Sequence, residues 1–262
     1  MPLCHWYTAI YLTGELVKRE IKERYRGSIL GVWWALITPM AMLLVFTFVF
    51  GEIFQAKWHG GGSVIEFGLN LYAGLIVFWF FAEVIGKAPA LVYSQPNFVK
   101  KVIFPLEILP LVSIFSALFH FFINMGILCI AAFFLKGTLP LSIIVLPFAP
   151  LACIPMLLGI AWMLSSIGVY IKDISAIVGV AMNMLMFLSP IFYPLEAVPE
   201  KFRWLFSLNP TSFIIEWVRG SVMGGIFPNG IVLVIYVGIS LVIGMLGLKC
   251  FKALRGGFAD VL

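Results

Sequence analysis

Glu83, Lys87 and His120 are the residues whose types and positions most invite chemistry, because each lies in or beside a long apolar stretch where an ionisable group is costly. Glu83 and Lys87 are four residues apart, and that spacing predicts an ion pair near one membrane interface. His120 stands by itself in its apolar run and is expected to pack between helices rather than relay protons. His5 and His59 are scattered, and Cys4, Cys129, Cys153 and Cys250 show neither metal-ligand spacing nor a disulfide framework. The sequence holds no His-Glu-x-x-His, no paired carboxylates within an apolar run and no Gly-rich phosphate loop ending in Gly-Lys-Ser/Thr. No metal, no bound cofactor and no ATP hydrolysis are therefore expected of this chain. The scarcity of buried carboxylates also argues against a pump driven by protons or sodium.

The elements that must position these groups follow from composition. Of 262 residues, 62% are hydrophobic and 11% charged, against about 45–50% and 25% in an ordinary soluble domain. A bilayer core about 30 Å thick needs roughly 20 apolar helical residues to cross. Six stretches qualify, at 32–50, 69–85, 108–135, 141–171, 174–192 and 230–251. Pro147, Pro150 and Pro155 are expected to break or kink the start of the fourth. The first 17 residues lack a basic n-region and a small-residue cleavage site, so no cleavable signal peptide is expected. The expected fold is an all-α polytopic membrane protein in one domain, residues 1–262. It comprises an amphipathic helix within 1–31, a six-span region over 32–251 and a tail over 252–262. The net charge of +5 is read as topogenic rather than as a nucleic-acid footprint. Twelve lysines and arginines fall on the side of both termini and five on the other. That asymmetry places both termini in the cytoplasm.

Three non-spanning segments stand out. Residues 7–28 carry Ile10, Gly14, Val17, Ile21 and Tyr25 on one stripe, with Lys18, Lys22 and Arg26 toward another face. Glu15–Arg19 and Glu20–Arg24 are expected as i,i+4 pairs. Such a basic amphipathic helix would lie along the inner headgroups, as an anchor or as a docking surface for a cytoplasmic partner. The loop 88–107 is long for a helix connection; Ser94 or Asn97 could cap a short helix ending near Lys101, before Pro105. Segment 193–229 is punctuated by Pro194, Pro199, Pro210 and Pro228. It reads as two external helices too short to cross, at 201–207 and 211–223, re-entrant in the outer leaflet or lying on it, as a gate or as a passive interfacial cover, with Glu216 and Arg219 neutralising each other.

Across essentially the whole chain, this order of elements resembles the ABC-2 type permeases that export lipid-linked polysaccharides such as O-antigen, capsule and teichoic-acid polymers. The resemblance is carried by Arg19-Glu20-Ile21-Lys22-Glu23-Arg24-Tyr25-Arg26-Gly27-Ser28-Ile29-Leu30-Gly31-Val32-Trp33-Trp34 and by Leu188-Ser189-Pro190-Ile191-Phe192-Tyr193. Leu208-Asn209-Pro210-Thr211 followed by Arg219, and Phe258-Ala259-Asp260, add to it. Lys172-Asp173 stands where the family has Arg-Asp; charge survives there but bidentate pairing does not.

The resemblance implies a homodimeric permease in the bacterial inner membrane that binds two copies of a separate ATP-binding subunit, which holds the ATP and Mg. Coupling would run through the N-terminal helix, at Glu15, Arg19 and Lys22, and through a coupling helix bearing Tyr93, Gln95, Asn97, Phe98, Lys100 and Lys101. The cargo would be a polymer on a polyprenyl diphosphate. Trp204, Phe206, Asn209, Pro210, Glu216 and Arg219 would belong to the external gate. Sugars pack their C–H faces on aromatic rings, which makes Trp33, Trp34, Phe46, Phe50, Phe187, Phe192 and Tyr193 candidate channel residues; an interfacial aromatic belt is the alternative. Arg24 and Arg26 are candidates for the lipid diphosphate, because guanidinium forks match phosphate oxygens. An ABC-2 permease for a drug or small lipid, and a membrane-bound glycosyl or phosphoglycosyl transferase, are the competing readings.

Overall fold

The computed structural model describes residues 2–54, 58, 63–99 and 104–261, with the backbone alone for 2–9. Lys100, Lys101 and His59, named above, lie outside the described residues, as do the side chains of Cys4 and His5. Among the described residues the chain is helical throughout, with no strand. It is an all-α polytopic membrane protein.

Helix α1 (Pro2–Tyr25) begins earlier than its apolar stripe suggests and stops where Gly27, at φ +83°, turns the chain. Helix α2 (Trp34–Phe46) continues into a π-helical stretch, Thr47–Ile53. Helix α3 (Val64–Lys87) starts five residues before the expected boundary. Ser63 caps it by accepting the Glu66 N–H, and Asn70 donates to the Glu66 carbonyl, so the first turn tolerates polar residues that hydropathy alone discounts. A short helix α4 (Pro96–Val99) interrupts the following loop. Then come α5 (Ile108–Lys136), a 3₁₀ stretch at Leu141–Phe148 and α6 (Ala149–Tyr170). The prolines act as expected at this junction, Pro147 lying in the 3₁₀ stretch and Pro150 in the first turn of α6. Helices α7 (Ile174–Phe187), α8 (Glu200–Leu208), α9 (Pro210–Arg219), α10 (Gly230–Leu254) and α11 (Phe258–Val261) complete the chain.

Among the described residues, five helical stretches are long and apolar enough to cross a membrane: Gly31–Ile53, Val64–Ala90, Ile108–Lys136, Leu141–Tyr170 and Gly230–Val261. The expected fifth span, 174–192, is a 14-residue helix instead, which rises about 21 Å at 1.5 Å per residue. It stops at Phe187 because Pro190 cannot donate to the ladder and disfavours helix at Ser189.

Helix α3 is the hub. In its most apolar window 78% of residues are buried inside the chain, against 11% for Gly31–Ile53 and 17% for the last span. The core gathers α5, α6 and α9 around it, while α2, α7 and α10 turn large apolar faces outward. Helices α6 and α10 touch backbone to backbone, since a Cβ on Gly159 would strike the Ile243 carbonyl and one on Gly247 would strike Gly159. Where Pro155 disturbs the α6 ladder, the Met156 N–H donates to Ser240 of α10 at 2.9 Å.

Candidate functional site

At the end of the bundle that holds the α1–α2 turn, polar groups converge on Glu83. Its Oε1 accepts from Arg24 Nη1 at 2.5 Å and from Lys87 Nζ at 3.0 Å. Its Oε2 lies 3.1 Å from His120 Nδ1, and Lys87 also reaches Glu20 at 2.9 Å. The expected Glu83–Lys87 pair is present, but as part of a cluster joining α1, α3 and α5. The expected pairs within α1 are not formed. Glu15 takes Lys18 instead of Arg19, at 2.8 Å, and Arg19 takes Glu23 at 2.7 Å. Glu20 and Arg24 are drawn off to α3, where carboxylate and ammonium are half-buried and attract more strongly than on an exposed face. The hydrogen bond from Lys18 holds the exposed Glu15 carboxyl below its ordinary pKa.

His120 is more than a packing residue, since Nδ1 serves the cluster, while Nε2 is buried with no hydrogen-bond partner among the described residues. A cavity of about 1140 Å³ opens beside the cluster. Glu20, Arg24, Glu83 and Lys87 form its polar wall, and Trp34, Met42, Trp79 and Phe80 its apolar one. Arg24, a candidate for the lipid diphosphate, has its guanidinium on a carboxylate, whereas Arg26 is exposed. Trp33 is exposed at the same end.

The opposite end is organised by rings and by Arg219. Phe187 stacks on Phe192 at 5.9 Å, Phe192 meets Phe50 at 5.8 Å, and Phe50 meets Phe46 at 6.3 Å. Four of the seven candidate channel aromatics thus form one continuous row, which Phe54 and Phe67 extend. Tyr193 stands beside the row, donating to the Phe187 carbonyl and packing edge-on against Phe206 of α8. Trp33 and Trp34 belong to the far end instead. The π-helical stretch of α2 fits closely here, because Thr47 fills the space that a Cβ on Gly68 would need.

Behind the row, two motifs interlock. Asn209 caps α9 by accepting the Thr211 N–H at 2.9 Å, while its amide donates to the Leu188 carbonyl and to Ser189 Oγ. Arg219 is 4% exposed. Its Nη1 reaches Glu216 at 2.7 Å, Nη2 donates to the carbonyls of Pro190 (2.9 Å) and Asn70 (3.1 Å), and Nε also reaches Asn70. The indole of Trp58 covers the guanidinium at 4.4 Å. The expected Glu216–Arg219 pair is one contact among several, and Arg219 is a staple between α9, α3 and the turn after α7. On the neighbouring helix α8, Phe206 is buried and Trp204 is 60% exposed. Asn70 and Trp58 escaped the sequence reading. An asparagine within an apolar stretch was the signal for the first; nothing in the local sequence marks the second.

In the 88–107 loop, α4 starts on Pro96, so Asn97 lies inside the helix and does not cap it. Gln95 and Asn97 are exposed, whereas Phe98 stacks flat on Phe104 at 4.3 Å and Tyr93 reaches Ser175. The loop therefore presents a polar tip on an apolar base.

Comparison with known proteins matches residues 11–223 to the family profile of ABC-2 type transporters. The chain belongs to the ABC-2 type transporter family. It is 25% identical to an O-antigen export system permease protein RfbA of Klebsiella pneumoniae, over the full length of both chains. It is 22% identical to RfbA of Myxococcus xanthus, with 94% of this chain and 93% of the relative aligned. Identity to the polysialic acid transport protein KpsM of Escherichia coli is 26%, over 90% and 91% of the two chains. As a member of the ABC-2 family, the chain is a multi-pass membrane permease subunit, and its motif 188–193 interlocks with 208–211 and Arg219.

Proposed function

We propose that this ABC-2 permease is the membrane half of an ATP-driven exporter that moves a polyprenyl-diphosphate-linked, O-antigen-like polysaccharide out of the cytoplasm. Two copies form the pathway between them, and two copies of a separate ATP-binding subunit, carrying ATP and Mg, drive it from the cytoplasmic side. The basic end, with both termini, is the cytoplasmic one. The observation that carries this reading is the Phe187–Phe192–Phe50–Phe46 row, in a chain similar end to end to permeases named for O-antigen export. Rings bind the C–H faces of successive sugars without demanding a full set of hydrogen bonds, so a polymer can slide along them. Arg26 and the wall of the cavity at the cytoplasmic end are suited to a diphosphate on an apolar chain, with Arg24 available if Glu83 releases it. The exposed Gln95 and Asn97, with Glu15, Arg19 and Lys22 on α1, face the partner.

The test is transport in vesicles containing the permease and its ATP-binding subunit. Replacing residues 93–101 by a flexible linker should leave insertion intact, keep ATP hydrolysis and abolish polymer export. Unchanged export in that variant, or uphill glycan movement in vesicles holding this chain alone, would overturn the reading.

A further inference from the structure

The C-terminal residues 255–261 are absorbed by none of the roles above, yet they close a small second core. Val92, Leu106, Leu109, Val169, Phe251 and Phe258 are all buried together there, with Phe98 and Phe104 packed against them. Phe258 meets Phe251 at 5.6 Å and Tyr170 at 6.0 Å. The Tyr170 hydroxyl donates to the Leu254 carbonyl at 2.8 Å, and a Cβ on Gly257 would collide with it, so the chain passes close beneath Tyr170. Arg255 Nη1 donates to Glu107 Oε1 at 2.6 Å, and the Glu107 carbonyl accepts from Trp162 of α6 at 3.0 Å. At the other end of the loop, Gly168 of α6 sits against the Pro89 carbonyl. The segment that carries α4 is thus fastened to α6 at both ends, and at the Glu107 end the tail adds a second fastener.

Those two helices form one stiff unit, because glycine contacts bring their backbones together and a buried hydrogen bond joins them. At the far end of α10, Tyr236 donates to the Pro210 carbonyl at 2.8 Å and packs on Phe213 of α9 at 5.1 Å. One rigid pair therefore touches the α4 segment at one end and the stapled re-entrant helix at the other. We propose that the Arg255–Glu107 latch and Phe258 act as positioning residues that pass displacement of α4 into the α6–α10 pair, and through Tyr236 to α9. This rests on the coupling role proposed for α4, and it adds a route for the thrust along α10.

The experiment uses the permease with its ATP-binding subunit in vesicles and reads polymer exported per ATP hydrolysed. Arg255→Glu, and Glu107→Arg, should each lower that ratio roughly tenfold, within the range for coupling between distant sites, while the ATP-binding subunit stays bound. The double variant, with the charges exchanged, should recover most of it, a rescue that a general weakening of the fold would not show. Arg255→Gln provides the same reading if a reversed charge prevents accumulation, and Tyr236→Phe should lower the ratio from the other end of the rod. A ratio within twofold of the parent for both Arg255→Gln and Tyr236→Phe, or no recovery in the double variant, would overturn the proposal. That failure is distinct from failure of the coupling reading itself, in which replacing residues 93–101 leaves export unchanged.

Discussion

Arg219 and Glu83 show how a single ionisable side chain is tolerated in an apolar bundle. Arg219 satisfies its buried guanidinium with three backbone carbonyls, one carboxylate and one indole face. Arg219→Ala should lower stability by about 1–3 kcal/mol or more, since the buried carbonyls lose their common donor. Arg219→Lys should recover only part of that, because one ammonium cannot span the same fork. Thermal unfolding midpoints of the purified variants in detergent decide it, and a lysine variant as stable as the parent would contradict the staple. For Glu83→Gln the expected result is local. Arg24 and Lys87 lose their carboxylate while remaining half-exposed, so α1 should loosen from α3 and trypsin should cut after Arg24 and Arg26 faster than in the parent. Equal cleavage rates would mean that apolar contacts of α1 with α5 hold the helix without help.

At the scale of elements, the contact between α6 and α10 depends on residues without side chains. Gly247→Leu inserts carbon where the Gly159 backbone already stands and should cost about 1–3 kcal/mol or more through forced displacement. Gly126→Ala on α5, where a Cβ meets nothing within 4 Å, is the control and should be neutral or slightly stabilising. Melting midpoints of the two variants, compared with the parent, check this. The prolines at 199 and 210 located the starts of α8 and α9, whereas the apolar stripe placed the start of α1 five residues late. Hydropathy misplaced the start of α3, since it discounts the Glu66 that the cap at Ser63 accommodates. It overran α7, since Leu188 and Ile191 look like membrane residues although Pro190 ends the ladder between them.

For the whole molecule, the distribution of charge sets the orientation expected in the membrane. Cysteines placed at the exposed Ser28 and Asn97, in a chain otherwise free of cysteine, should react with an impermeant thiol reagent only after the membrane is opened. A cysteine at the exposed Glu200 should react in intact spheroplasts. The reverse pattern would invert the topology and with it the direction of transport proposed here. The ring row and the Glu83 cluster stand at opposite ends of the bundle. On the function proposed above, the charged headgroup and the sugar chain would meet different chemistry in turn.

The sequence by itself determined that this chain lives in a membrane, that its class is all-α, and that it carries no metal-ligand spacing and no phosphate loop. Those properties depend on composition, period and local spacing, which need no partner in space. It also announced the Glu83–Lys87 and Glu216–Arg219 pairs, each within one helical turn. Only the tertiary structure could decide that Glu20 and Arg24 leave their neighbours for α3, that Asn70 and Trp58 complete the Arg219 staple, and that Phe50 and Phe192 share a row. Each of those contacts joins residues tens to more than a hundred positions apart. Packing chooses among the many partners that local rules permit, and it favours the one whose burial strengthens the attraction.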